Sequence, residues 1–227
     1  MSIADNWQAI KARVEAACER ADRDPTSVMI VAVSKKHSAS AIREALAAGV
    51  TELGENYAQE LVAKRAELQD RPDAHWHFIG RLQRNKAKFV AGQCVLIHAV
   101  DNAELARELA KRRPDQTRVQ PILLALSGEA SKAGVHAQTA LETARELVTV
   151  EGVRLDGLMT MPPPADDPEA SRPAFEELRA LREQLQQALG HPLPALSMGM
   201  SDDFEVAIAC GATHVRIGTA IFGSRSG

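Results

Sequence analysis

Cysteine is sparse and scattered: Cys18, Cys94 and Cys210 are the only three in 227 residues, with no CxxC pair. That excludes a disulfide framework and a cysteine-based zinc site, and leaves three small packed hydrophobes in a reduced compartment. No apolar run approaches the roughly 18 residues of a membrane helix. The amino-terminal stretch "MSIADNWQAIKARVEAACER" mixes acids and bases throughout, without the basic-then-apolar order of a secretory signal. A formal charge of −3 and a pI near 6.2 give no footprint for nucleic acid. The expectation is a cytoplasmic protein, monomeric, with neither a nucleic-acid nor a membrane partner. Low-complexity tracts are missing too, and the one Pro-rich stretch, "MPPPADDPEASRP", reads as a long surface loop rather than a domain linker.

What is present is an ordinary globular composition, 45% hydrophobic and 25% charged. The length suits one α/β barrel, so residues 1–227 are read as a single domain. Short β-rich runs alternate with longer segments whose apolar residues recur every three or four positions, the pattern of repeated βα units and a parallel sheet. Strands are expected in "VMIVAVSK", "TELGEN", "HWHFIG", "VLIHAV", "VQPILLAL", "RLDGLMTM", "ALSMGM" and "HVRIG". Eight strands, each followed by a helix or helical turn, predict a (β/α)8 barrel of the TIM type with an extra amino-terminal helix. An open doubly wound sheet is the other arrangement this pattern permits.

In a barrel, chemistry gathers where the strands end and the βα loops meet. The first strand ends on lysine. Lys35 shares strand parity with Val31 and Val33, so it points to the barrel mouth if they line the interior, while Lys36 faces the other way. Burial lowers an ammonium pKa, and the neutral amine is the form that attacks a carbonyl to make a Schiff base. At the other end of the chain, "HVRIGTAIFG" places Gly218 and Thr219 at the start of a short helical segment, where unpaired N–H groups suit a phosphate. "SMGMSDDFEVAIACG" repeats the device one unit earlier, with Ser201 as an N-cap. Asp202 and Asp203 must then point away from the anion. A lysine facing a phosphate cradle suggests pyridoxal phosphate or a phosphorylated sugar. Arg216, on the same strand face as Gly218, favours the first, because arginine donates but does not accept and would keep a pyridine nitrogen unprotonated.

The stretches "VAVSK", "GENYAQE", "WHFIGRLQRNK", "SKAG", "GLMTM" and "LSMGMSDDFEVAIACGATHVRIGTAIFGSR", in this order, resemble the pyridoxal-phosphate homeostasis protein family, similar in fold to the amino-terminal barrel of alanine racemase. The resemblance spans roughly residues 28 to 225. It implies Lys35 as the aldimine lysine, Asn56 near the cofactor ring, and Ser201, Gly218 and Thr219 at the phosphate. Arg216 falls at the pyridine nitrogen, with His77, Ile79 and Met198 lining the pocket. The implied function is to hold pyridoxal 5′-phosphate and buffer it or hand it to cofactor-requiring apoenzymes, without robust turnover. An amino-acid racemase and a Schiff-base aldolase acting on a sugar phosphate are the alternatives. The racemase needs a second base, which the resembled enzyme takes as a tyrosine from another domain and subunit, and this chain ends shortly after its phosphate motif.

Other signals carry less. His75 and His77 share a strand face but lack a spaced third ligand, so they read as structural or pocket-lining rather than metal-binding. Lys132, in the loop "SGEASKAGV", reads as solvated, and Tyr57, the one tyrosine, as a residue at the edge of the following helix.

Overall fold

The computed structural model describes residues 2–127 and 134–223; Lys132 lies outside them. Among the described residues eight strands form: β1 Met29–Val33, β2 Glu52–Glu55, β3 His75–Phe78, β4 Leu96–Val100, β5 Gln120–Ala125, β6 Val153–Met159, β7 Ala195–Ser197 and β8 His214–Ile217. They pair in chain order, all in parallel, and β8 returns to β1 through the register Val31 to Arg216, so the sheet closes into a barrel rather than fanning open. Each expected strand is present, cut back at one or both ends by one to three residues where the backbone turns toward a helix, while β6 begins one residue earlier than expected, at Val153.

The helices are α1 Ile3–Arg20, α2 Ala39–Ala47, α3 Ala58–Glu67, α4 Ala87–Val90, α5 Ala103–Arg112, α6 Ala140–Val148, α7 Arg172–Leu189, α8 Phe204–Ala209 and α9 Thr219–Phe222. Most follow the apolar spacing of the sequence. The exception is α4, a single turn after a 3-10 segment, too short for a periodic stripe to announce it. Strand residues alternate between two cores. Leu53, Phe78, Ile97, Leu124 and Leu196 face outward under the helices, whereas Leu96, Leu123, Met159 and Ala195 fill the barrel. All three cysteines are buried and free. Among the described residues, no helix is long and apolar enough to cross a membrane.

The extra helix α1 begins with a reciprocal cap between Ser2 and Asp5. It buries Trp7, Ile10, Val14, Ala17 and Cys18 against α2, α8 and α9. Arg13 and Arg20 both reach Glu205 on α8, and the Asn6 amide donates to the Ile221 carbonyl on α9 at 3.0 Å. The amino-terminal helix thus braces the two elements that open the last two loops. Replacing Asn6 by Ala is expected to lower unfolding free energy by about 1 kcal/mol, the worth of one intramolecular hydrogen bond. Urea denaturation measures it; a variant with the wild-type midpoint would show that this contact braces nothing.

Candidate functional site

A cavity of about 220 Å³ opens at the carboxyl ends of the strands and is lined by residues following β1, β2, β3, β6, β7 and β8. Seven of the nine expected site residues meet there: Lys35, Asn56, Ile79, Ser201, Arg216, Gly218 and Thr219. Two do not. Met198 is fully buried in the outer core beneath the helices, because β7 alternates and gives its inward position to Ser197. His77 does face inward, but below the cavity floor, bonded to His98 and Glu52.

Lys35 stands in a tight turn that begins one residue past β1, closed by the His37 N–H donating to the Ser34 carbonyl at 3.0 Å. Lys36 takes the left-handed backbone conformation that such a turn requires, at φ 64°. The turn is clamped from below. Lys64 of α3, almost fully buried, spends its ammonium donors on the Ser34 carbonyl, Glu55 and Glu60 at 2.8, 2.7 and 2.8 Å. Glu60 also accepts the Lys36 N–H at 2.7 Å, and Ser34 donates its hydroxyl to Glu55 at 2.6 Å. Burial pushes the Glu55 carboxyl above its ordinary value, against the pull of Lys64 and Ser34. Sequence reasoning did not find this clamp, although the four-residue spacing of Glu60 and Lys64 on α3 was its visible trace.

Asn56 enters because Gly80 makes room: a Cβ at Gly80 would collide with the Asn56 backbone carbonyl. Its side-chain oxygen is buried without a hydrogen-bond partner among the described residues, a costly state that a ligand's polar group would relieve.

At the opposite wall, Gly218 lets β8 end against β1, where any Cβ would press on Val33 at 3.3 Å. The first N–H groups of α9 have no partner within the helix. Ser201 does not cap α8. The N-cap position belongs to Asp203, whose carboxylate instead accepts the Met200 N–H at 2.7 Å and the Ser171 hydroxyl at 2.9 Å. These bonds tie down the Asp203 carboxylate, and the Ser201 hydroxyl is not used in capping.

Arg216 is buried, donating to Ser197 Oγ at 2.6 Å and to the Thr160 carbonyl at 2.9 Å. Burial lowers its pKa to about 10, with Asp203 pulling upward, so at neutral pH it is still a cation. Tyr57 sits at the amino end of α3, about half exposed, and does not line the cavity. Among the described residues, no group of three or more His, Cys, Asp or Glu is arranged to hold a metal ion.

A closed parallel barrel with this site at its carboxyl end defines a class: the family model described as alanine racemase, N-terminal domain, matches residues 6–226. Pyridoxal phosphate homeostasis proteins of Aquifex aeolicus and Pseudomonas aeruginosa are 43% and 44% identical to it, each match spanning 99% of this chain and 99% and 96% of theirs. The chain belongs to the pyridoxal phosphate homeostasis protein family. The solved structure of PipY from Synechococcus elongatus with PLP bound has a TM-score of 0.87 to it at 36% identity, over 98% of this chain and 100% of that one. Alanine racemase from Corynebacterium glutamicum, at 14% identity and a TM-score of 0.69, covers 94% of this chain with 60% of its own length and shares the fold alone.

Proposed function

We propose that this protein binds pyridoxal 5′-phosphate in the cavity and buffers it or delivers it to cofactor-requiring apoenzymes, as a cytoplasmic monomer and without robust turnover. One observation carries the reading. A single cavity gathers an amine (Lys35), a buried cation that only donates (Arg216), an orphaned amide oxygen (Asn56) and a Gly/Ser/Thr cradle (Ser201, Gly218, Thr219). An aromatic aldehyde bearing a phosphate fits that donor set.

Lys35 supplies the nucleophilic amine, and the Ser34–Lys36 turn with its Lys64 clamp orients it. Thr219 and Ser201 offer hydroxyl donors to the phosphate, joined by the unpaired N–H groups at the start of α9. Arg216 donates to the ring nitrogen and holds it as an acceptor. Val33, Ile79 and Met159 form apolar walls that exclude water from the ring. When bound, the cofactor supplies an electrophilic aldehyde and an electron-accepting ring. Arg216 weakens that acceptor by keeping a proton off the nitrogen. Racemisation also needs a base on each face of the bound substrate, and the one tyrosine of the chain lies outside the cavity.

Borohydride reduction of the protein loaded with pyridoxal phosphate, followed by peptide mass mapping, is expected to place the pyridoxyl group on Lys35. A label on Lys36 or Lys132 with Lys35 unmodified would overturn the assignment. Incubation of the loaded protein with single enantiomers of alanine in deuterated water should give turnover well below about one per second. Faster turnover that vanishes in Tyr57→Phe would restore the racemase.

A further inference from the structure

Beneath the cavity a file of polar side chains runs through the barrel interior beside the apolar cluster of Leu96, Leu123, Met159 and Ala195. From Arg216 a continuous chain of hydrogen bonds descends the barrel. It runs through Ser197 Oγ at 2.6 Å, His98 Nδ1 at 2.8 Å, His98 Nε2 to His77 Nδ1 at 2.9 Å, and His77 Nε2 to Glu52 Oε2 at 2.9 Å. Glu52 Oε1 continues to His75 Nδ1 at 2.8 Å, where the chain reaches solvent at the amino-terminal end of the strands. Ser197 and His98 are fully buried and His77 nearly so.

The chemistry of the two ends fixes the outer bonds, and one proton on each ring carries the direction between them. Arg216 can only donate, so Ser197 Oγ accepts from it. Glu52, as a carboxylate, can only accept, so His77 carries its proton on Nε2. Burial pushes the Glu52 carboxyl up, but the bonds and charge from His77 and His75 outweigh it and hold the group below its ordinary value, ionised at neutral pH. Carrying its proton on Nε2 alone, His77 accepts at Nδ1 from His98 Nε2–H, and His98 Nδ1 in turn accepts from the Ser197 hydroxyl. Burial above all, with the Arg216 cation acting in the same sense, holds the His98 pKa well below its ordinary value. With one proton on each ring, one arrangement satisfies all the bonds, and in it the Ser197 lone pairs are turned toward the guanidinium.

We propose that Ser197, His98, His77 and Glu52 are positioning residues for Arg216: the relay locks Ser197 as an acceptor and thereby sets where the guanidinium meets the ligand ring. The proposal rests on the reading that Arg216 faces the ring nitrogen of pyridoxal phosphate. It differs from ordinary core packing, because a filled core needs no particular tautomer.

Two measurements test it. Long-range ¹H–¹⁵N spectra of the ligand-free protein near neutral pH should show His77 and His98 both protonated on Nε2 and bare on Nδ1. A proton on Nδ1 of either ring overturns the relay. With pyridoxal phosphate added, His98→Leu should weaken binding about tenfold, the loss expected when a hydrogen bond to a charged group is misaligned, and should shift the absorption band of the bound cofactor. Leu123→Ala, also inside the barrel, should lower the melting temperature while leaving band and affinity in place. Glu52→Gln retains an oxygen to accept from His77 and should stay within about twofold of wild type, whereas Glu52→Leu should behave as His98→Leu does. If His98→Leu does not fold, the Glu52 pair carries the test. An unchanged spectrum and affinity in the folded Leu variants, or equal shifts in Leu123→Ala, would overturn the proposal. Failure of the wild-type protein to bind would instead sink the binding reading, and the tautomers would still report on the relay.

Discussion

Lys64→Met is expected to lower the unfolding free energy by about 3–5 kcal/mol, the range for removing one partner of a buried ion pair. The lysine is 8% exposed at its side chain and Glu55 is fully buried, so the substitution strands a carboxylate in the protein interior. It also removes one of the two donors on the Ser34 carbonyl, loosening the Lys35 turn, and cofactor trapping at Lys35 should fall with stability. The pH dependence identifies the cause. Burial raises the Glu55 pKa in the folded state above its ordinary 4.5, so the folded protein holds this proton more tightly than the unfolded chain. The stabilisation from that proton is complete below the unfolded value and lost as pH rises through the folded one. Without Lys64 the folded value rises further. The deficit relative to wild type should therefore be largest at neutral and alkaline pH and shrink on acidification toward pH ~5. Urea denaturation of both proteins across that interval decides it: a deficit under about 1 kcal/mol, or one that does not narrow in acid, would show that Lys64 is not compensating a buried charge.

The second large effect lies at the other end of the cavity. Replacing Ser201 and Thr219 together by Ala should weaken pyridoxal phosphate by at least about 100-fold, since each truncation removes a hydrogen bond to a charged group worth roughly 1.5–3 kcal/mol. Pyridoxal, which lacks the phosphate, should change by no more than about threefold. Binding of the phosphate form should persist at the weaker level, because the backbone N–H groups at Gly218 and Thr219 survive the substitutions. Titration of the two ligands into wild type and the double variant gives the ratio. Equal weakening of both would move the phosphate elsewhere.

Much of this was legible in the chain. Strand positions follow from β-rich runs bounded by turn residues, and parity alone brings Lys35 and Arg216 to one mouth, because a strand has a period of two and strand ends in a barrel share one rim. The same rule, applied to β7, would have exchanged Met198 for Ser197; family likeness favoured the methionine, and alternation puts the serine inside. What sequence could not supply was the third dimension of the polar interior. Glu52, His77, His98 and Ser197 come from four strands, and none carries a signal by itself: a serine beside a methionine, a histidine in an apolar run. Their meaning is created by sheet closure, which stacks them on one axis. The clamp on Lys35 is hidden in the same way, since Glu55 and Lys64 are nine residues apart in sequence but belong to different layers of the fold.

Closure itself has a consequence in time. Lys35 follows the first strand and Thr219 the last, and the two walls of the cavity become neighbours only when β8 docks beside β1 and α1 settles on α9. Contacts this distant along the chain are among the slowest to form, because the intervening loop entropy must be lost before they contribute. A nascent or partly unfolded chain would hold the lysine without the cradle, or the cradle without the lysine. The complete cavity therefore belongs only to molecules whose barrel is already shut.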